Sequence, residues 1–244
     1  MYHSCKTVLV LVDRMDIRYF KEFGITAGIT QAPDLSDVRR AAMAEELEKR
    51  GGYLIRPCLT HGVNVYPITR KFLEGKPSYI EIEDCDGMVT DIPDVALTST
   101  HGDCIPLYVY DPVKMVIGLA HAGWRGTVNG IAAVLALTMI KTYGCDPSDI
   151  HTVVGPGIGR CCFEVSEDVA REFIEKMPWC EDYIGEGAKE GKYMIDLKGV
   201  NAELFKMFGI TNTEISPVCT YEDENCWSYR RSGTDKRMLA YIMI

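Results

Sequence analysis

Residues able to bind a metal or attack a substrate fall at one end of a short hairpin pattern. His101-Gly102-Asp103-Cys104 precedes an apolar stretch, Ile105 to Tyr110. A second stretch, Met115 to Ala120, runs into His121-Ala122-Gly123-Trp124-Arg125-Gly126. Between them, Asp111-Pro112-Val113-Lys114 carries Asp at the first and Pro at the second position of a turn. With Pro112 and Val113 as the central turn residues, Cys104 is expected directly across from His121. Opposed residues of an antiparallel pair share a face, with Cβ atoms about 4.5–5.5 Å apart. A thiol and an imidazole held that way can bind one metal ion or form a nucleophile–base pair. Asp103 adds a carboxylate able to move protons or to orient a ligand.

Five histidines are present: His3, His61, His101, His121 and His151. His61, His101 and His121 each precede a small residue, which lets backbone and ligand approach closely. His3 and His151 read as structural. One Cys with two His is a mixed nitrogen and sulfur set that suits zinc, and three protein ligands leave a fourth position open. Such an ion brings the pKa of water toward ~7. Gly155-Pro156-Gly157-Ile158-Gly159 and the turn Gly123-Trp124-Arg125-Gly126 could present N–H groups to an anion. Neither ends in the Gly-Lys-Ser/Thr of a P-loop. Arg125, Arg230 and Arg231 are available anion partners.

These residues need elements to position them. Val8 to Val12 reads as a first strand, and Phe23 to Thr30 as a strand and turn. Ser36 is expected to cap a helix with Ala41, Ala42, Met43 and Leu47 at helical spacing, stopped by Gly51-Gly52. Arg39 and Arg40 then sit early in that helix, on a solvated face. Tyr53 to Leu59 is a strand leading to Thr60-His61-Gly62, and Val63 to Ile68 continues extended. Tyr79 to Ile82 and Val95 to Thr100 are further strands, with Asp84-Cys85-Asp86-Gly87 a turn. Past His121 the period changes. Thr127 is expected to cap a helix closed by Tyr143-Gly144, with Val128, Ile131, Leu135, Met139 and Ile140 on its apolar face. Ile150 to Val154 and Cys161 to Val165 read as extended, and Ser166 caps a helix through Met177. Glu181 to Lys192 reads as a surface loop, Val200 to Phe208 as a helix, and Met238 to Ile244 as a closing strand. The pattern is α+β with mixed sheets, read as one domain over 1–244.

Composition bounds the function. The 244 residues carry 47% hydrophobic and 25% charged residues, an ordinary soluble balance. A net charge of -9 argues against general nucleic-acid binding, which demands a basic surface. No stretch approaches the ~18 apolar residues of a membrane span. The N-terminal apolar run is too short for a secretion signal, so a cytoplasmic location is expected. Without that signal the ten cysteines are expected to be reduced. There is no C-x-x-C pair, and adjacent Cys161-Cys162 reads as poor geometry for sharing a metal.

Taken together, the motifs resemble one family. They are Asp103-Cys104-x-Pro106, His121-Ala122-Gly123-Trp124-Arg125-Gly126-Thr127, Gly155-Pro156-x-Ile158 with Glu164-Val165, and Cys219-Thr220 followed by Ser228-Tyr229-Arg230-Arg231. The chain is similar, from about Gly24 to Ile244, to the laccase-domain family, first called multicopper polyphenol oxidases and now regarded as zinc-dependent purine nucleoside phosphorylases with adenosine deaminase activity. The resemblance implies a zinc site of His61, Cys104 and His121. It also implies a layered αββα sandwich similar to the cytotoxic necrotizing factor catalytic domain. Some positions depart from the family pattern. Cys58-Leu59-Thr60-His61-Gly62 stands where Gln-x-His-Gly is usual, and His101-Gly102-Asp103-Cys104 stands for Thr-Ala-Asp-Cys. Phe163 stands for Tyr, and Cys226-Trp227 for Phe-Phe. These changes bear on substrate preference more than on the metal.

The implied substrates are a purine nucleoside (adenosine, inosine, guanosine or methylthioadenosine) and phosphate. In deamination, water activated by zinc attacks the purine C6 while Asp103 moves protons. Phosphorolysis needs a phosphate site near the ribose C1′, for which Arg40, Arg125 and Arg230 are candidates. A second reading is a metal-free hydrolase or amidase with Cys104 as nucleophile, His121 as base and the glycine loop as oxyanion donor. Family members are linked to peptidoglycan editing, which an amidase would suit. A multicopper oxidase needs several His-x-His clusters, and five isolated histidines supply none.

Overall fold

The structure, a computed structural model, describes residues 14–16, 20, 23–33 and 36–244. The strand expected over Val8 to Val12, and His3, lie outside these residues.

Two six-stranded sheets face each other. One has the order β1 (Arg14–Asp16), β2 (Thr26–Thr30), β15 (Met238–Met243), β7 (Val95–His101), β3 (Tyr53–Pro57), β5 (Tyr79–Ile82). Its β7/β3 and β3/β5 pairs are parallel and the rest antiparallel. The other has the order β14 (Asn212–Ile215), β10 (His151–Val154), β8 (Ile105–Asp111), β9 (Val116–Ala122), β6 (Gly87–Thr90), β4 (Val65–Pro67), with parallel pairs at both edges. A small antiparallel sheet joins β11 (Glu164–Ser166), β13 (Lys192–Ile195) and β12 (Ile184–Glu186). The sheets are mixed, as the sequence pattern predicts.

Strand alternation sorts the core into three layers. Ile55, Leu97, Met238 and Ala240 of the first sheet meet Tyr108, Tyr110, Ile117 and Leu119 of the second in an apolar layer between the sheets. The opposite face of the second sheet, with Leu107, Val109 and Ala120, packs against α4 (Ile131–Tyr143) and α6 (Leu197–Met207). The opposite face of the first sheet, with Leu54, Ala96 and Tyr241, packs under α1 (Ser36–Lys49) through Met43 and Leu47. The layers therefore run helix, sheet, sheet, helix.

Several elements depart from the sequence-based expectation. Asp111 pairs with Val116, so the β8–β9 loop has four residues, 112–115, rather than two. Its shape comes from Asp111 Oδ1, which accepts the N–H groups of Val113 (2.8 Å) and Lys114 (2.9 Å), and from Met115 at φ 55°. The helix expected from Thr127 is two helices, α3 (Trp124–Val128) and α4, divided at Gly130 with φ 85°. Thr127 is not a cap: it is buried inside α3, where its hydroxyl accepts from Asn201 Nδ2 at 2.9 Å. Cys161 and Cys162 lie in a turn, not a strand. The expected loop over Glu181 to Lys192 contains the end of a 3-10 turn and strand β12.

No helix among the described residues is long and apolar enough to cross a membrane. Leu119 is fully buried in the layer between the sheets. Leu119→Ala should cost about 2–5 kcal/mol as a cavity that the two stiff sheets cannot close. Urea unfolding should show this as a lower midpoint with an unchanged slope. An unchanged midpoint would mean that this layer does not carry the fold.

Candidate active site

The site forms where the layer between the sheets reaches one end. His121 follows Ile117 and Leu119 at spacing two, so its ring points between the sheets. His101 follows Val95 and Leu97 in the same way on β7. Cys104 lies in the tight connection from β7 to β8, on the side shared with Tyr108 and Tyr110. The register differs from expectation, because Pro106, not Cys104, lies opposite His121. The four-residue loop shifts the pairing by two. An even shift preserves the face, so Cys104 and His121 remain neighbours. His61 reaches the same place from the loop after β3, with φ 59°. The ligand atoms of His61, Cys104 and His121 all lie within 4.8 Å of one another. The His61 and His121 rings are 4.9 Å apart, edge to face.

Asp86, just before β6, organises this cluster. Its carboxylate is buried and accepts the successive N–H groups of Thr60 (3.2 Å), His61 (3.0 Å) and Gly62 (2.8 Å). It also accepts the Nδ1–H of His121 at 3.1 Å, and the Asp86 carbonyl takes the His121 N–H at 2.7 Å. One residue thus fixes both histidines. Burial pushes the Asp86 carboxyl up, but the His121 ring, Gly62 N–H and Thr60 outweigh it and hold the pKa at about 2. With Nδ1–H committed to Asp86, Nε2 of His121 is left for a ligand.

Burial also pushes the Cys104 thiol up, yet the neighbouring His121 and His61 imidazoles win and bring it below its ordinary value. Burial lowers His121, and the charge on Cys104 with the bond to Asp86 raises it. Each partner stabilises the charge of the other. His101 is different. Fully buried, it donates Nδ1–H to the Cys104 carbonyl at 3.0 Å, and desolvation with His121 beside it (ring centroids 5.3 Å apart) drives its pKa well down. It is a neutral brace for the Cys104 turn. Its Nε2 has no protein partner among the described residues.

The donor set fits zinc. It combines one thiolate and two imidazoles, and a carboxylate orients one ring from behind. Gly123 leaves the room. A Cβ there would come 3.0 Å from His61 Cδ2 and 3.1 Å from Cys104 Sγ.

Residues 18–244 match the family described as multi-copper polyphenol oxidoreductase laccase. The chain belongs to this family. It is 32% identical over 190 residues to the purine nucleoside phosphorylase YlmD of Bacillus subtilis (strain 168), covering 75% of this chain and 68% of that protein. It is 38% identical over 144 residues to the purine nucleoside phosphorylase LACC1 of Mus musculus, which covers 59% of this chain but 31% of that longer protein. The fold matches the crystal structure of the Bacillus licheniformis hypothetical protein YfiH, with a TM-score of 0.83 at 28% identity, over 97% of this chain and 98% of that one. It also matches YlmD from Geobacillus stearothermophilus, with a TM-score of 0.78 at 28% identity over 90% and 92%.

The laccase-family motifs take distinct places. His61, Cys104 and His121 come together. Asp103 sits beside them at φ 91°, but its carboxylate holds the C-terminal segment: Oδ1 accepts the Thr220 hydroxyl and Oδ2 the Arg230 N–H, both at 2.7 Å. The Arg230 guanidinium donates to the carbonyls of Glu164 (2.8 Å) and Cys162 (3.3 Å). Arg125 is exposed on α3 and stacks on Trp124 at 4.3 Å. Arg40 is not brought to the cluster. It is buried on α1, not on a solvated face, and pairs with Asp37 at 2.8 Å in a groove also lined by Arg56, Ser78 and Tyr79. The glycine loop is not an anion cradle either. Gly155, Ile158 and Gly159 donate to Pro106 O, Asp103 O and Cys219 Sγ. Its glycines allow close packing, since a Cβ on Gly157 would lie 2.6 Å from Ile105. Asp86 was missed because Asp-Cys-Asp-Gly reads only as a turn.

Asp86→Asn should lower the affinity of the cluster for a metal ion about 10–100-fold, because an amide cannot accept from four N–H groups with a full charge. It should also flatten acid sensitivity. A carboxyl with a depressed folded pKa gives stability that is present above its unfolded value, about 3.9, and is lost as pH falls toward about 2. Urea unfolding between about pH 5 and pH 2.5 reads that slope, and an Asn variant with the wild-type slope would refute the role of Asp86. Gly123→Ala should displace His61 or Cys104. It should reduce metal uptake, read by equilibrium dialysis, while circular dichroism stays native. Unaltered uptake would show that the cluster has slack.

Proposed function

We propose that this chain is a zinc-dependent purine nucleoside phosphorylase, acting on adenosine, inosine, guanosine or methylthioadenosine, that also deaminates adenosine. The observation that carries the reading is the cluster of His61, Cys104 and His121 tied together by Asp86. Relatives named purine nucleoside phosphorylase support the substrate class.

His61, Cys104 and His121 would hold the ion, leaving one position of a tetrahedral set for a reactant. Bound there, zinc supplies Lewis acidity that polarises a purine or an attacking water. The chain does the rest. Asp86 keeps the proton on Nδ1 of His121, so the ring presents its lone pair. His101 fixes the Cys104 carbonyl and with it the direction of the thiolate. Asp103 positions the turn by holding Thr220 and Arg230. Its two engaged oxygens make it an anchor first and a proton carrier only at a lone pair left over. Arg125, exposed two residues past Gly123, would be the guanidinium that meets phosphate. The side chain of Arg230 is occupied with carbonyls.

The second reading, a Cys104/His121 hydrolase or amidase, is favoured by one observation: the thiol is lowered and the imidazole raised by each other. It loses its oxyanion donor, because the glycine-loop amides named above are engaged within the fold.

Purified protein given adenosine and phosphate should release adenine and ribose 1-phosphate, and should form inosine by deamination. Chelation should abolish both and zinc should restore both. Absence of both products from the zinc-loaded protein would sink the proposal. Activity that resists chelation and is stopped by iodoacetamide would transfer the site to the hydrolase reading.

A further inference from the structure

Adjacent cysteines read from sequence as a poor metal pair, yet they do not stand alone here. Cys161, Cys162, Cys219 and Glu222 place four donor atoms within 4.8 Å of one another, separate from the His61 cluster. Cys161 Sγ lies 3.4 Å from Cys162 Sγ and 3.5 Å from Glu222 Oε2. A tetrahedral ion with sulfur at about 2.3 Å spaces its ligands about 3.7 Å apart, so these contacts are near coordination spacing.

Two turns set the four donors. The N–H groups of Cys162 and Phe163 both bond the Gly159 carbonyl at 3.0 Å. Those of Glu222 (3.1 Å) and Asp223 (3.0 Å) bond the Cys219 carbonyl. The turns meet through the Gly157–Cys219 bridge and the Gly159 N–H, which donates to Cys219 Sγ at 3.2 Å. Gly159 is needed there, since a Cβ would lie 3.1 Å from Cys161 Sγ and 3.3 Å from Cys219 Sγ.

We infer that Cys161, Cys162, Cys219 and Glu222 form a second metal site, closed by four protein ligands and selective for a thiophilic divalent cation of the zinc class. Three sulfur donors exclude magnesium and calcium, which take oxygen ligands. A disulfide between Cys161 and Cys162 is disfavoured. Neighbouring Cα atoms sit about 3.8 Å apart, below the about 4.4–6.8 Å that disulfides use. Burial raises Cys219, but the N–H groups of Gly159, Glu222 and Tyr221 outweigh it and lower the thiol. Burial and then the neighbouring thiols raise Cys161. A cation held by the three sulfurs would favour their deprotonated forms.

The ion would clasp the segment that packs on the Cys104 turn. Ile158 N–H bonds the Asp103 carbonyl at 2.9 Å, and Thr220 bonds its carboxylate. Its role is therefore structural.

Cobalt(II) titration of reduced protein carrying Cys104→Ala isolates this site from the first. One equivalent should bind with strong sulfur-to-cobalt charge-transfer absorption, and zinc should displace it. Adding Cys161→Ser and Cys162→Ser should remove the absorption. Glu222→Ala, at an exposed residue, should keep the native circular dichroism and weaken cobalt binding by at least about tenfold. Native mass spectrometry of zinc-loaded wild type should show two zinc ions, and one after Cys104→Ala. The inference is overturned if folded Cys104→Ala protein gives no charge-transfer band, if the band survives loss of both cysteines, or if Cys219 stays in a disulfide under reductant.

Discussion

Everything at the cluster depends on one buried carboxylate. A lone ionised Asp86 at the end of an apolar layer would be costly, since burying an unpaired charge costs several kcal/mol. Four N–H donors offset that cost: three from successive residues of the loop after β3 and one from an imidazole on β9. The same bonds dictate geometry. The backbone of the His61 loop must curl around the carboxylate, which places His61 in the left-handed region. The His121 ring must turn its Nδ1 inward. The placement of the clustered ligand atoms is a consequence of satisfying a charge.

Asp103 plays the corresponding part for the C-terminal segment, with partners 117 and 127 residues away. The Ser-Tyr-Arg-Arg block is largely architectural in this light. Ser228 caps its short helix by accepting the Arg231 N–H at 3.1 Å. Arg231 spends its guanidinium on the carbonyls of Thr220, Tyr221, Asp223 and Cys226. Arginines beside an active site invite assignment to an anion. Here Arg230 and Arg231 bind backbone oxygens, and Arg125 stands exposed on α3, stacked on Trp124.

What was legible in the sequence follows from which signals are local. The hairpin and the shared face of Cys104 and His121 could be read, although the loop length was wrong, because a period of two forgives an even error. The mixed sheets and the α1 helix followed from alternation, helical spacing and the Gly51-Gly52 stop, although Ser36, expected as the cap, is the first helical residue. Asp86 could not be read. Its meaning lies in partners 24 to 35 residues away, and its own neighbours spell a turn. The burial of Arg40 is hidden from the sequence for a related reason. A charged residue in a polar helix looks solvated until the helix is laid on a sheet. The glycine loop misled because glycine serves close packing and anion binding alike, and only the destinations of the N–H groups separate the two. Cys161 and Cys162 misled because adjacency in sequence was judged without the turn that swings both sulfurs to one side.

The two readings of Cys104 draw on the same electrostatics, and the second histidine separates them. A nucleophile–base pair needs one imidazole, supplied by His121 and oriented by Asp86. His61 adds to that pair only a second, smaller lowering of the Cys104 thiol behind that of His121. Yet the chain places it in a left-handed conformation, gives its N–H to the same carboxylate, and keeps residue 123 as glycine to admit its ring. Backbone strain of this kind costs on the order of 1–3 kcal/mol and persists where the surroundings enforce it. A three-ligand cation site uses every one of these features, including the Nδ1 bond that leaves His121 Nε2 as a donor. The thiolate character of Cys104 then reads as preparation for a cation. In the nucleophile reading His61 only repeats what His121 already does to the thiol, whereas in the metal reading it is a ligand, and that is why the metal reading is preferred.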